Sequence, residues 1–154
     1  MIKRILDLDT SDIKNMTKEE KLLSIKNGEG RTIMSEVICT ATPLLWDVSN
    51  VELASAFGAD ILLLNLYDVD NPYVEGIPIE EPKETIKKIK FYTGRMVGAN
   101  LEPVDQDILV HDRIKLPKGR RATVENVKKL VEQGVDIVLL TGNPKTGVTN
   151  DKII

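Results

Sequence analysis

The chain has 154 residues, enough for one domain with a real core, and that core must be aliphatic because 42% of the residues are hydrophobic but only 4% aromatic. The net charge of −3 is built from signs mixed along the chain, with no basic stripe, so nucleic acid is not an expected partner. No apolar run reaches the roughly 20 residues of a membrane span, Lys3 and Arg4 lead into acidic sequence rather than a secretory segment, and the single Cys39 has no internal disulfide partner; a cytoplasmic protein is expected.

Residues 1–30 read as an amino-terminal helical segment. DIKNMTKEEKLLSIKN (12–27) is polar helix with a loose apolar stripe, Thr17 and Glu20 form a capping box for a second helix, and Gly28 and Gly30 end it. From Arg31 the pattern changes to four βα units over residues 31–154. TIMSEVICT (32–40) is the first strand. Ser49 and Glu52 cap the helix NVELASAF, which stops at Gly58. DILLLNLYDVD (60–70) is a nearly continuous apolar run, the habit of a strand buried on both faces of a parallel sheet. A helix opens at Pro82 and ends at Gly94; MVGANLEP (96–103) is the third strand. Thr123 starts a helix closed by Gly134, and DIVLLTGNP (136–144) is the fourth. FGADILLLN (57–65) echoes QGVDIVLLT (133–141), as two copies of one module would. Strands alternating with helices predict a parallel α/β sheet, either open or part of a barrel. A further helix begins at Thr149 as the sequence runs out, which predicts the amino-terminal half of a TIM-type (β/α)8 barrel, truncated or completed by a partner.

Chemistry in such folds sits at the carboxyl ends of the strands. Those ends carry Cys39, Thr40 and Thr42; then Asn65, Tyr67, Asp68 and Asp70; then Asn100, Glu102 and Asp105; then Thr141, Gly142, Asn143, Lys145, Thr146 and Gly147. Asp68, Asp70 and Glu102 are candidate carboxylate ligands for Mg²⁺, and equally read as caps or solvated acids. Asn65, Asn100, Thr141, Gly142, Asn143, Lys145 and Thr146 are candidates to hold an anionic substrate: the glycines admit close backbone approach and Lys145 adds charge. Glu36 lies inside a strand, so it is either solvated or needs a buried partner such as an arginine. The long loop DQDILVHDRIKLPKGRR has the length of a lid, and Arg113, Lys118, Arg120 and Arg121 are placed to close on a phosphate or carboxylate. His111 reads as exposed, and Trp46 and Tyr73 as packing groups.

The opening stretch MIKRILDLDTSD resembles the first motif of haloacid-dehalogenase-like hydrolases, with Asp7 as nucleophile and Asp9 as acid, and DIVLLTGN resembles that family's second motif, with Thr141 on the phosphate. Lys145 and Lys152 follow Thr141 but only one acid, Asp151, so the acidic pair of that machinery is not found, and Asp9, Ser11 and Asp12 also read well as helix caps.

SEVICTATPLLWDVSNVELASAFGADILLLNLYDVDNP, ANLEPVD and LLTGNPKTGVTN together look like an uncharacterised bacterial TIM-barrel family similar to PEP phosphonomutase and isocitrate lyase, sometimes labelled haloacid-dehalogenase-like hydrolases. The resemblance implies a barrel about twice this length and Mg²⁺-dependent chemistry on a small phosphorylated or carboxylated metabolite. Asp68 and Asp70 would match the superfamily's Asp-x-Asp metal motif and Glu102 its further acid; the lyase's Lys-Lys-Cys-Gly-His loop is not present. Two alternatives stand beside this one: a phosphohydrolase using Asp7, and a non-catalytic half-barrel that forms homo-oligomers through its open sheet edges.

Overall fold

Local capping sets the amino-terminal helices. In the computed structural model, which describes residues 2–154, Asp9 opens α1 (Thr10–Asn15) by accepting from the Ser11 and Asp12 N–H groups, while the Asp12 carboxylate accepts from the Asp9 N–H. Thr17 and Glu20 make the same reciprocal box for α2 (Lys18–Asn27). Ile5–Asp7 is a single 3₁₀ turn. Ile5, Leu8 and Ile13 from this segment are buried against Ile61, Met96 and Ile137, the first residues of three strands. The segment therefore plugs the amino-terminal end of the sheet.

Four parallel strands follow: β1 (Met34–Ile38), β2 (Ile61–Asn65), β3 (Met96–Leu101) and β4 (Ile137–Leu140), in the order β1-β2-β3-β4. They alternate with α3 (Asn50–Ala56), α4 (Thr85–Thr93) and α5 (Val124–Gln133), and a short α6 (Asn150–Ile153) comes last. The chain is thus an α/β protein built of βα units. Strand residues alternate between two faces. Val37, Leu62, Leu64, Val97, Ala99 and Leu101 point to the helices, where they meet Val51, Ile86, Ile89 and Leu130 in the main core. Among the described residues no helix is long and apolar enough to cross a membrane.

Every strand is shorter than its apolar run. β2 stops at Asn65 rather than Asp70 because Leu66 takes a left-handed backbone, φ 64°, and its N–H is held by the Asn65 Oδ1 at 2.8 Å. Asp68 and Asp70 consequently sit in a loop, not on the strand. β3 ends at Leu101; Pro103 has no N–H to continue a ladder, and Glu102 pairs instead with Arg121. β4 ends at Leu140, short of the Asn143-Pro144 turn, and β1 ends at Ile38 although the Cys39 N–H still reaches the Asn65 carbonyl at 3.0 Å.

The internal echo has an architectural cause. Gly58 and Gly134 both adopt φ 96° after their helices. The aspartate two residues later then ties its strand to the one before it: Asp60 accepts from the Ile33 N–H at 2.8 Å, and Asp136 from the Val97 N–H at 2.9 Å. Asp136 also holds Lys21 at 2.6 Å and Lys90 at 2.9 Å, with its own side chain only 1% exposed. The repeated motif fastens the amino-terminal end of the sheet.

Candidate functional site at the strand tips

The face of the sheet away from the helices is layered by register. Glu36, Leu63, Gly98 and Ile137 lie at one level. Ile38, Asn65, Asn100 and Leu139 lie at the next, and Glu102 and Thr141 stand above them on the same face. Below, the face is closed by the amino-terminal segment; above, it is polar. Gly98 makes a tight fit here, because a Cβ would come within 3.0 Å of the Leu63 side chain and 3.3 Å of the Ile137 carbonyl.

Glu102 organises the rim. It is 3% exposed, and its Oε1 accepts from Arg120 Nη2 at 2.8 Å and Asn143 Nδ2 at 2.9 Å, while Oε2 accepts from the Asn143 N–H at 3.2 Å. A carboxylate this buried needs such a set of donors. The turn after β4 therefore holds an anion, but the anion is the chain's own Glu102. Thr146 is buried and donates its hydroxyl to the Asn143 carbonyl at 2.8 Å, and Gly147 lets the Arg113 guanidinium lie against the backbone. Gly142 and Lys145 are exposed. The lid-length loop is already folded down: Arg113 donates to the Asp105 carbonyl, the Ile114 N–H to the Lys145 carbonyl at 2.9 Å, and Val104 bridges Val148.

Asn100 is 7% exposed and donates from Nδ2 to Glu36 Oε1 at 3.2 Å. The partner that Glu36 meets is thus an amide rather than an arginine. The Asn100 Oδ1 and the Thr141 Oγ1 are buried without a partner, as are Arg121 Nε and Thr149 Oγ1 in the loops that border them. Unpaired buried polar atoms are costly. Asn100 Oδ1 and Thr141 Oγ1 belong to the open face at the strand tips, while Ser24 Oγ and Thr32 Oγ1, toward the other end, are unpaired as well.

The expected Mg²⁺ triad is not assembled. Asp68 Oδ1 accepts from the Asp70 N–H at 2.9 Å, and Asp70 pairs with Lys129 of α5 at 2.8 Å. The segment Lys118–Arg121 runs between these two acids and Glu102: the Gly119 carbonyl bonds the Val69 N–H, and the Arg120 carbonyl bonds the Glu102 N–H. Gly119 packs so closely on Asp68 that a Cβ would fall 1.9 Å from its Oδ1. Among the described residues no three His, Cys, Asp or Glu side chains converge as a metal-binding set. Asp68, Asp70 and Glu102 therefore do not fit a shared divalent ion, and no catalytic role through one is assigned to them.

Asp7 is also displaced from its expected place. It lies in the 3₁₀ turn, exposed, held by Arg4 Nε at 2.7 Å and Nη2 at 3.0 Å, and not at the tip of a strand. That turn packs at the amino-terminal end of the sheet, while Thr141 follows β4 at the carboxyl end. The two cannot share one phosphate, so the aspartyl phosphohydrolase arrangement is not formed. Asp9 serves as a cap. Cys39 is buried, and burial pushes its thiol up to about 12, which makes it an inert core group.

Glu36 and the Glu102–Arg120 pair were the features hardest to rank from sequence. The signal for Glu36 was a lone acid in an apolar strand; nothing local announces that Arg120 reaches Glu102. Fold and rim together define a parallel βα protein with a polar rim at its strand tips. Over residues 6–154 the chain matches the family described as a domain of unknown function, DUF7916, and it belongs to that family. No curated protein and no solved structure matches it.

Proposed function

We propose that the chain supplies four units of a TIM-type barrel whose strand tips bind a small carboxylated or phosphorylated metabolite and move a proton on it. The observation that carries this reading is the pair of buried, unpartnered atoms Asn100 Oδ1 and Thr141 Oγ1 on the open face. A bound hydroxyl would donate to the Asn100 Oδ1, and a carboxylate or phosphate oxygen would accept from the Thr141 hydroxyl. Glu36 is the proton acceptor in this scheme: Asn100 orients one of its oxygens, and the residue lies on the same open face of the sheet. Asn65 borders the substrate, and Arg120, fixed by Glu102, contributes positive potential without being free to swing. The sequence resemblance to the PEP phosphonomutase group supports the choice of substrate class. No step runs through Mg²⁺.

Nuclear magnetic resonance titration with pyruvate and phosphoenolpyruvate tests the reading. Shifts are expected at the Asn100, Thr141 and Asn143 amides, weakened in Asn100→Asp and Thr141→Val. Unmoved rim amides at millimolar ligand sink it. Adding millimolar Mg²⁺ is expected to leave the thermal midpoint unchanged, because an ion held only by the folded state would raise it.

A second reading rests on the sheet edges. Met34 and Ile38 of β1 are 41% and 48% exposed, and Leu139 and Leu140 of β4 are 37% and 41% exposed. Unpaired strands with apolar side chains recruit further strands, so self-association through β1 and β4 is a proposal in its own right. Sedimentation velocity is expected to show a concentration-dependent dimer that Leu140→Lys weakens; a monomer at every concentration counts against it.

A further inference from the structure

We propose that the cleft between α1, α2 and α4, at the amino-terminal end of the sheet, binds a phosphorylated small molecule with a flat apolar group, of the nucleotide class. The cleft has a volume of about 430 Å³ and is lined by Lys14, Lys21, Lys87, Lys90 and Arg95. That size is within the usual range of ligand pockets, about 300–1,000 Å³. The five cations come from both amino-terminal helices, from α4 and from the turn between α4 and β3, so the fold rather than one helix face gathers them.

Their charge is only partly cancelled in place. Lys21 and Lys90 share one carboxylate, Asp136, which also accepts from the Val97 N–H. Two cations on one buried anion leave an excess of positive charge at the floor. An ammonium has three donors, and Lys21 spends one on Asp136. Lys87 pairs with Glu84 at 2.7 Å, and Arg95 Nε donates to the neutral Ser55 hydroxyl at 3.3 Å. The partial negative charge at helix carboxyl ends accounts for Lys14 in the last turn of α1, Lys90 in the last turn of α4 and Arg95 just beyond it; it does not account for Lys21 and Lys87.

Apolar side chains line the cleft as well. Phe91 lines the cleft and is 74% exposed, beside the buried Ile13. A free phosphate has no use for such a surface, whereas a purine or pyrimidine stacks on an exposed aromatic ring. The two sides are held close: Gly94 takes φ 63°, and a Cβ there would sit 2.7 Å from the Thr10 Oγ1. This site lies at the opposite end of the strands from the rim around Glu102, so either can fail without the other.

The test is calorimetric and magnetic-resonance titration of the full chain with AMP, ATP, adenosine and inorganic phosphate. AMP and ATP are expected to shift the Lys14, Phe91 and Arg95 amides, and adenosine and phosphate alone to bind at least tenfold more weakly. Lys14→Glu and Phe91→Ala change exposed side chains and are each expected to weaken AMP about tenfold with an unchanged thermal midpoint. No shift at α1 or α4 with millimolar AMP or ATP overturns the proposal, as does undiminished AMP binding in both variants. Phosphate binding as tightly as AMP overturns the assignment of the flat group.

Discussion

Asp136 shows how much one side chain can hold: Lys21 of α2, Lys90 of α4 and the Val97 amide of β3 all converge on it. Removing one partner of a buried ionic network strands the rest, so Asp136→Ala is expected to cost about 3 kcal/mol. Asp136→Asn keeps an acceptor for the Val97 amide and is expected to cost less; urea denaturation compares them. Thr141 works in the opposite sense. Its buried hydroxyl has no partner, and Thr141→Val removes an unsatisfied group at nearly constant shape. The variant is expected to gain about 1 kcal/mol by the same measurement, while losing ligand at the rim. Cys39 is predicted to stay silent: with its thiol raised to about 12, it remains protonated at pH 8 and shielded, and should react with a thiol reagent only as fast as the protein unfolds.

Among the elements, the helices were the most legible in the sequence, because their signals are local. The Thr17–Glu20 and Ser49–Glu52 boxes each span one turn and both form, and Asp9, read as a cap, completes a third box with Asp12. The Asp9 cap carries a pH dependence. The Ser11 hydroxyl, helped by the Asp12 and Ser11 N–H groups, holds the Asp9 carboxyl below its usual range. Its contribution is therefore full above the unfolded value of about 4 and is lost as pH falls through the lowered folded value. The gap in thermal midpoint between the native chain and Asp9→Ala should accordingly be constant near neutrality and close in strong acid. Strand ends were less legible. An apolar run does not say where the chain turns, and β2 is cut short by the left-handed Leu66, a residue whose side chain gives no hint of it. Glu102 and Arg120 are 18 positions apart, and Lys21 and Asp136 are 115 apart; no window of sequence joins them.

At the scale of the whole molecule, alternation of strand and helix was enough to read a parallel sheet, since the long buried connections leave few other solutions. The sequence also placed Asn65, Asn100, Glu102, Thr141 and Asn143 at one end. It did not show that Lys118–Arg121 would be laid between Asp68 and Glu102, and that one loop path decides against the triad. Gly119 is the tightest point of the path. Gly119→Ala would drive a methyl group into Asp68 and the Asp70 amide, and is expected to destabilise by roughly 1–3 kcal/mol while shifting the Glu102 and Arg120 resonances. The strand order has a consequence for how the chain comes together. Each strand pairs only with its neighbour in the chain, β1 with β2, β2 with β3, β3 with β4. A newly made unit therefore finds its docking edge already waiting on the unit before it, and the polypeptide can fold progressively as it leaves the ribosome.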